Sequence, residues 1–378
     1  MKLCQPLFCL FLLLFLLLPP MAMAAGAMEP GVPIATVERK LWPDSLGSYP
    51  GFNRASRQEI LAFGSELLVS EWLPADEWPA RLGLERVDML GMERYRKQTW
   101  LRLLQNYRLA SKGCAQCPPV HSVASLRQLV SESQHPGTRY ELWQQAAQRF
   151  YARYLLEQLR LAANFSSSSN EIDTLSPSEM TGNELLDGEF LLTFDDGPSP
   201  SGGSTRGTVA ALTLSGQNGV FFLLGDRLQA RLKAKGGKKL ASEYGDNCIA
   251  SHGMSHTSYA RLANWQESLQ QSRNLLQRLE GVTRLSWFRP PFAERSPQME
   301  GSVFRHLVLW NIDSLDHHSA MTPTLVRDRV LSLMLLWRKG IIRFHDSQPK
   351  AAQALPSIFA ALHGTPVRWV DCHNFAAE

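Results

Sequence analysis

Acidic and histidine side chains follow short apolar runs in the second half of the chain. The first such group is Asp195-Asp196, which comes directly after the run 190–194. Two adjacent carboxylates repel each other unless a cation or a cationic partner compensates them, and Gly197-Pro198 favours a turn at this point. Taken alone, the group indicates an Asp-rich turn more than a metal site.

The second group is a pair of histidines. His252 and His256 are four residues apart, so in a helix they share a face and can present two imidazoles to one divalent ion. A pair of this kind is more often incidental. It gains weight only with a third ligand and a base, both of which Asp195-Asp196 could supply.

The third group is centred on Arg289, which stands between Trp287-Phe288 and Pro290-Pro291-Phe292. A guanidinium close to Asp195 would keep that carboxylate ionised and oriented. Without such a neighbour, Arg289 is a surface residue beside a rigid turn.

The last two groups supply carboxylates and a histidine. Asp313 and Asp316 follow the apolar run 307–310, and His345 follows Ile341-Ile342. A carboxylate against His345 would raise the pKa of the imidazole and keep it protonated, as a general acid requires. Taken singly, these are ordinary loop residues. Together, the five groups have the residue types that hydrolysis by a bound metal needs.

The elements that would position these groups alternate between short apolar strands and helical patterns. Strands are predicted at 190–194, 219–224, 307–310 and 341–342, and helices at 265–279 and 323–337. Such alternation predicts an α/β fold of βα units with parallel strands. Catalytic residues in these folds lie just beyond strand ends, and the five groups stand at or near such ends.

The preceding part of the chain has a helical pattern. It extends over 56–165 and is clearest where four residues recur at steps of four, three and four: Trp143, Ala147, Phe150 and Tyr154. Ser56-Arg-Gln-Glu59 resembles a capping box at the start of one helix, and a second helix is predicted over 86–109.

The first residues are predicted to be an export signal. Lys2 is the positive start, residues 7–18 form an unbroken apolar run, and Ala22-Met23-Ala24 offers a cleavage site. The alternative is an uncleaved anchor, but the run is shorter than the ~20 apolar residues of a spanning helix. The mature protein is therefore predicted to be periplasmic or secreted, with no stable membrane span after cleavage of the signal.

The chain is predicted to have four parts. Residues 1–24 are the signal peptide, 25–165 a small all-α domain, 166–186 a serine-rich linker and 187–378 the α/β domain. With 44% hydrophobic and 20% charged residues, the chain is neither disordered nor collagen-like. The formal charge of +4 is spread over 378 residues and gives no electrostatic case for binding nucleic acid.

Four cysteines remain after the predicted signal. An even number in an exported chain predicts disulfides. Cys114-Ala-Gln-Cys117 lacks the next His of a c-type haem site and the βαβ context of a thioredoxin-like centre, so it is interpreted as a short structural disulfide. Cys248 and Cys372 are candidates to pair, although spacing alone does not establish that they meet.

In their order, the five groups resemble the motifs of the polysaccharide deacetylases, the NodB-homology domain of carbohydrate esterase family four. The resemblance covers about 187–378, and the order of five motifs is far more specific than any one of them. It implies a distorted (β/α) barrel. It also implies removal of acetyl groups from N-acetylglucosamine polymers such as chitin and peptidoglycan, or from O-acetylated xylan. Residues 25–165 have no counterpart in that domain.

The resemblance implies a metal site and a base. Asp196, His252 and His256 would bind the metal, while Asp195 would be the general base, oriented by Arg289. Zinc is the first choice of divalent metal, although the same ligand set also serves iron(II).

The resemblance further implies that His345 is the general acid, tuned by Asp316, and that the backbone N–H of Phe292 helps to bind the oxyanion. Three positions depart from the family pattern. His317 stands where Trp is usual, Arg343 where an apolar residue is usual, and Phe292 where Tyr is usual. The wall of the sugar site is therefore predicted to be more polar than usual, which affects the substrate more than the catalysis.

The leading hypothesis is an exported, metal-dependent N-deacetylase whose partner is an acetylated polysaccharide, either peptidoglycan or a chitin-like glycan. One alternative keeps the site but makes the substrate an O-acetyl ester of a polysaccharide. The other is a non-catalytic glycan-binding protein with the same fold. The helical domain is in each case a candidate to bind a protein partner or a second copy of the chain.

Overall fold

A computed structural model describes residues 34–133, 139–164, 179–279, 286–299 and 301–375. The α-helices are α1 Tyr49–Glu71, α2 Trp78–Leu82, α3 Met89–Ala110, α4 Val123–Glu132, α5 Glu141–Asn164, α6 Ser204–Leu214, α7 Gly225–Lys235, α8 Gly237–Ala241, α9 Trp265–Leu276, α10 Pro323–Trp337 and α11 Pro349–Ala361. The strands are β1 Glu189–Gly197, β2 Val220–Leu223, β3 Cys248–Ser251, β4 Trp287–Phe288, β5 His306–Leu307, β6 Ile312–Asp313, β7 Gly340–His345 and β8 Arg368–Trp369. The predicted signal peptide, 1–24, and positions 166–178 of the predicted linker lie outside the described residues.

The strands form one parallel sheet in the order β5-β4-β3-β2-β1-β7-β6, with β8 beside β1. The outer strands β5 and β6 are joined by residues 308–311 alone. Within this stretch, the Val308 amide donates to the Phe288 carbonyl at 2.9 Å and the Asn311 amide donates to the Ile341 carbonyl at 3.3 Å. One chain segment therefore joins the two edges of the sheet. The predicted distorted (β/α) barrel, preceded by a helical region, is confirmed.

One predicted helix start is wrong. Ser56 and Glu59 do not cap a helix, because they lie inside α1, whose N-cap is Ser48. The Ser56 hydroxyl donates to the Leu335 carbonyl at 2.6 Å, and Glu59 is fully buried in an ion pair with Arg39. Both polar side chains are therefore used for tertiary contacts.

Helices α1, α3 and α5, here called the helical layer, pack against one another and against α10, which α5 reaches through side-chain hydrogen bonds. Every residue of α10 from 328 to 337 is buried, and the helix also contacts β6, β7 and α11. A helix that is buried all round has packing partners on every side. The helical layer and the barrel therefore share one hydrophobic core.

A fragment that begins at residue 179 is expected to aggregate or to stay unfolded. Without the helical layer, the ring of Trp337 would lose its contact with Phe63, and Arg329 would lose its ion pair with Glu157. A large exposed apolar patch promotes association, and a buried charge is destabilising without its partner. Gel filtration and thermal unfolding by circular dichroism test this, with the chain that begins at residue 34 as the control. A monomeric fragment with a cooperative transition would contradict it.

The disulfide predicted at Cys114-Cys117 is confirmed, and the candidate pair Cys248 and Cys372 is bonded as well. Cys114 and Cys117 are bonded with Cα atoms 5.4 Å apart, and Cys248 and Cys372 with Cα atoms 6.0 Å apart. The second bond ties the start of β3 to the C-terminal segment. Among the helices in the described ranges, none combines the length and the apolar character needed to cross a membrane.

Candidate active site

All five polar groups lie at the carboxyl ends of the parallel strands. Asp195-Asp196 ends β1, His252 follows β3 and Arg289 follows β4. His345 ends β7, where it is the register partner of Asp195, and Asp316 lies just after β6. Side chains far apart in sequence are thereby brought to one end of the barrel, where α/β folds bind their ligands.

Asp195 is held by a fully buried arginine. Arg289 Nη1 lies 2.8 Å from Asp195 Oδ1 and also donates to the Thr193 hydroxyl at 2.8 Å. Its other nitrogens donate to the carbonyls of Val308 and Leu309 at 2.9 and 2.8 Å. Burial alone would raise the pKa of Asp195, but Arg289 and the nearby histidines outweigh it and lower the pKa. The carboxylate is therefore ionised and fixed in orientation.

Asp196, His252 and His256 present three ligand atoms that all lie within 4.8 Å of one another. Nε2 of each histidine is 3.5 Å from Asp196 Oδ1. The opposite nitrogen of His252, Nδ1, is 2.7 Å from the Arg289 carbonyl. A histidine that donates from one ring nitrogen has the other free as a ligand, which is the usual arrangement at metal sites.

A second observation indicates that these three residues fit a divalent cation. Asp196 Oδ1 is buried, and among the described residues it has no hydrogen-bond donor. A buried carboxylate oxygen without a donor is costly unless a cation satisfies it. One carboxylate and two imidazoles are a donor set suited to zinc or iron(II).

His345 and Asp316 form a buried pair. His345 Nδ1 lies 2.7 Å from Asp316 Oδ1, and the His345 backbone amide donates to Asp316 Oδ2 at 2.9 Å. Burial would lower the pKa of His345, but the carboxylate of Asp316 outweighs it and raises the pKa. The geometry is that of a histidine held protonated, as a general acid must be.

Two of the three residues that depart from the family pattern, His317 and Arg343, lie beside this pair. The ring of His317 is 4.6 Å from that of His345, and burial followed by the charges of His345 and Arg343 lowers the pKa of His317 to about 4. Arg343 pairs with Asp313 at 2.9 Å and lies 4.0 Å from the ring centroid of Trp310. The side of the site next to His345 is therefore polar.

Phe292 lies on the other side, next to the histidine pair. Its ring centroid is 4.4 Å from that of His256. Its φ of 59° puts the backbone in the left-handed region, a conformation that non-glycine residues adopt mainly at functional sites and tight turns.

Two residues of the site had no role assigned from the sequence. Thr193 is a hydrogen-bond acceptor for Arg289, and Asp346 is fully buried with Oδ2 accepting from the Thr205 hydroxyl at 2.7 Å. Burial, reinforced by the charges of Asp196 and Asp195, raises the pKa of Asp346 to about 7 although Thr205 opposes it. A Cβ at Gly197 would meet Asp346 Oδ2 at 2.4 Å, so this approach requires glycine. Both lie beside conspicuous motif residues, and only the folded geometry reveals their contacts.

Residues 183–304 match the family model described as polysaccharide deacetylase. The matched segment contains the first three polar groups and ends before Asp316 and His345. The resemblance seen in the sequence is thus confirmed over this segment. A comparison of the sequence with curated proteins gives no match.

Several solved structures are similar to about half of the chain. The peptidoglycan N-acetylglucosamine deacetylase Bc1960 is 23% identical over 51% of this chain and 90% of its own, with a TM-score of 0.45. The peptidoglycan deacetylase PdaC from Bacillus subtilis is 22% identical over 52% of this chain and 90% of its own, with a TM-score of 0.40. BA3943 from Bacillus anthracis, a pseudoenzyme of carbohydrate esterase family four, is 17% identical over 49% of this chain and 64% of its own, with a TM-score of 0.42.

Proposed function

We propose that the chain is a polysaccharide deacetylase that acts outside the cytoplasm. Its reaction is the metal-dependent hydrolysis of N-acetyl groups on a glycan containing N-acetylglucosamine, either peptidoglycan or a chitin-like polymer. One observation carries the proposal: a carboxylate paired with a buried arginine, a histidine paired with a buried carboxylate, and three metal-ligand atoms converge at one end of the barrel. Simple glycan binding needs no such set.

Asp196, His252 and His256 would hold the divalent ion, with zinc as the first choice. Bound there, the ion would polarise the acyl carbonyl and lower the pKa of the attacking water. Three protein ligands leave coordination positions open for water and substrate.

The chain's own residues supply the proton transfers. Asp195, kept ionised by Arg289, takes a proton from the water that attacks the acyl carbon. The N–H of Phe292 donates a hydrogen bond to the oxyanion, where loss of one donor can cost about 3 kcal/mol. His345 then gives its proton to the amide nitrogen, so that an amine leaves rather than an amine anion.

Release of acetate is expected to require the metal. The purified protein should release acetate from N-acetylglucosamine oligomers or from peptidoglycan, chelation should stop the release, and added zinc should restore it, because Asp196, His252 and His256 would lose and regain their ion. Enzymatic measurement of acetate is the readout. No release from any acetylated glycan, with bound metal shown by elemental analysis, would contradict the proposal and favour a binding protein.

Replacing His345 with Ala is expected to lower kcat on an amide far more than on an O-acetyl ester. The amine leaving group must be protonated, whereas the alkoxide leaving group of an ester depends less on protonation. The variant should therefore lose about 10²-fold or more of its kcat on the amide. Acetate release from a chitooligosaccharide and from acetylated xylan gives the comparison. His317→Ala is the matched control, because it removes the neighbouring ring without removing the proposed acid. Equal losses on both substrates would contradict the acid role.

A further inference from the structure

Asp316 reaches His345 on a short turn, residues 313–316, here called the acid turn. Asp313 Oδ1 accepts from the Leu315 amide at 2.9 Å, and the Ser314 hydroxyl donates to Asp316 Oδ1 at 3.1 Å. Leu315 has a φ of 52°, in the left-handed region. A leucine keeps that conformation only where its surroundings hold it there. The position of Asp316 therefore depends on what holds Asp313.

Two arginines hold Asp313. Arg343 Nη2 lies 2.9 Å from Asp313 Oδ2, and Arg329 Nε donates to the Asp313 carbonyl at 2.9 Å. Arg343 belongs to β7 and stands on the same face of that strand as His345, two residues away. Arg329 belongs to α10 and approaches from outside the barrel.

Arg329 connects the acid turn to the helical layer. Its side chain is fully buried, with Nη2 2.9 Å from Glu157 Oε2 in α5 and Nη1 donating to the Ala35 carbonyl at 2.9 Å. Glu157 Oε1 in turn accepts from the Ala35 amide at 2.8 Å. The three nitrogens of one planar guanidinium thus bind the acid turn, α5 and the N-terminal segment, an arrangement that a lysine cannot reproduce.

We propose that the helical layer positions the acid of the reaction: Glu157 fixes Arg329, Arg329 fixes the acid turn, and the acid turn holds Asp316 against His345. The inference rests on the proposed function. Glu157 and Arg329 are positioning residues, because they act on His345 only through the turn. Without Glu157 the guanidinium loses its anion, and its hold on the Asp313 carbonyl loosens. Proton transfer to the leaving group then weakens, while substrate and metal binding do not change.

The kinetic test compares Glu157→Ala with Asn106→Ala. Asn106 also joins the helical layer to α10, since its Nδ2 donates to the Leu336 carbonyl at 3.0 Å, but this contact lies at the C-terminal end of α10, about two turns from Arg329. Glu157→Ala is expected to lower kcat on the amide about tenfold or more, since small misplacements of reacting groups have effects of this size. KM and zinc content should stay unchanged. Asn106→Ala should lower the melting temperature but keep kcat. Equal kcat in the two variants would overturn the proposal.

Conservative variants separate positioning from folding. Glu157→Gln keeps an acceptor for Arg329 and is expected to recover part of kcat. Arg329→Lys keeps the charge but cannot bind three segments at once, so it is expected to lose kcat as Glu157→Ala does, and it is the variant of choice if Glu157→Ala does not fold. Full kcat in a folded Arg329→Lys protein would contradict the proposal.

A second readout does not depend on activity. In protein labelled with ¹⁵N-histidine, the Nδ1 proton hydrogen-bonded to Asp316 should give a downfield signal, assigned by its loss in His345→Gln. The signal is expected to persist in Asn106→Ala and to weaken or shift in Glu157→Ala. An unchanged signal in Glu157→Ala overturns the inference. If the signal responds as expected but the unaltered protein releases no acetate, the proposed function fails and the positioning remains.

Discussion

Replacing Asp195 with Asn is expected to lower kcat for deacetylation by about 10²–10⁴-fold, the usual contribution of a positioned general base. Asn has nearly the same shape and can still accept a hydrogen bond from Arg289, but it cannot take a proton from water. The three metal-ligand atoms belong to other residues, so the metal content should stay at the level of the unaltered protein. Acetate release and elemental analysis of the same preparation test both parts.

The control for this variant is Asp226→Asn. Asp226 is an exposed carboxylate at the start of α7, and its replacement should leave kcat unchanged. Asp195→Asn also leaves the buried Arg289 without its anion, so this variant should melt at a lower temperature. The Asp195→Asn and Asp226→Asn variants must therefore both be assayed well below that melting temperature. Retained turnover in folded Asp195→Asn would remove the base from the proposed mechanism.

The sequence predicted that polar groups lie together at one edge of a sheet because most of them follow apolar runs. A strand that ends in Asp195-Asp196 and one that ends in His345 must place these residues at the same edge if the strands are parallel. The ion pair of Asp313 with Arg343 was not predicted. An Asp in a loop and an Arg in a strand have many candidate partners, and only the register of β6 against β7 brings these two together.

The fold could be predicted in part, where the sequence carries local signals. Helix α10 was predicted with its observed limits, since Pro323 at its first position and the apolar pattern that follows are local signals. The apolar run 330–337, interrupted only by Ser332, also indicates burial, but the sequence does not identify the helical layer as the partner. The interpretation of Ser56 and Glu59 failed because a capping box and a pair of buried tertiary contacts use the same residue types. Strand β3, with four residues, is too short for a periodic signal.

Replacing Arg289 with Met is expected to have the largest effect on stability and to remove activity as well. Asp195 would remain fully buried without its cation, and breaking a buried ion pair from one side costs about 3–5 kcal/mol. Loss of the guanidinium would raise the pKa of Asp195 and so favour the protonated form, which cannot act as the base. Urea unfolding monitored by tryptophan fluorescence measures the first effect, and acetate release the second.

The pH dependence of unfolding separates loss of charge pairing from loss of packing. In the unaltered protein the lowered pKa of Asp195 contributes stability at a pH above the pKa of the unfolded carboxyl, and this contribution is lost as the pH falls through the folded value. In Arg289→Met the folded pKa of Asp195 is expected to be higher than in the unaltered protein, so the deficit in stability should shrink as the pH falls. The double variant Asp195→Asn with Arg289→Met has no buried charge in this pair and should recover part of the stability but no turnover. A contradicting result would be a stability deficit of Arg289→Met that does not change with pH and is not relieved in the double variant. Arg289 would then act through its packing and its hydrogen bonds to the Val308 and Leu309 carbonyls rather than by keeping Asp195 ionised.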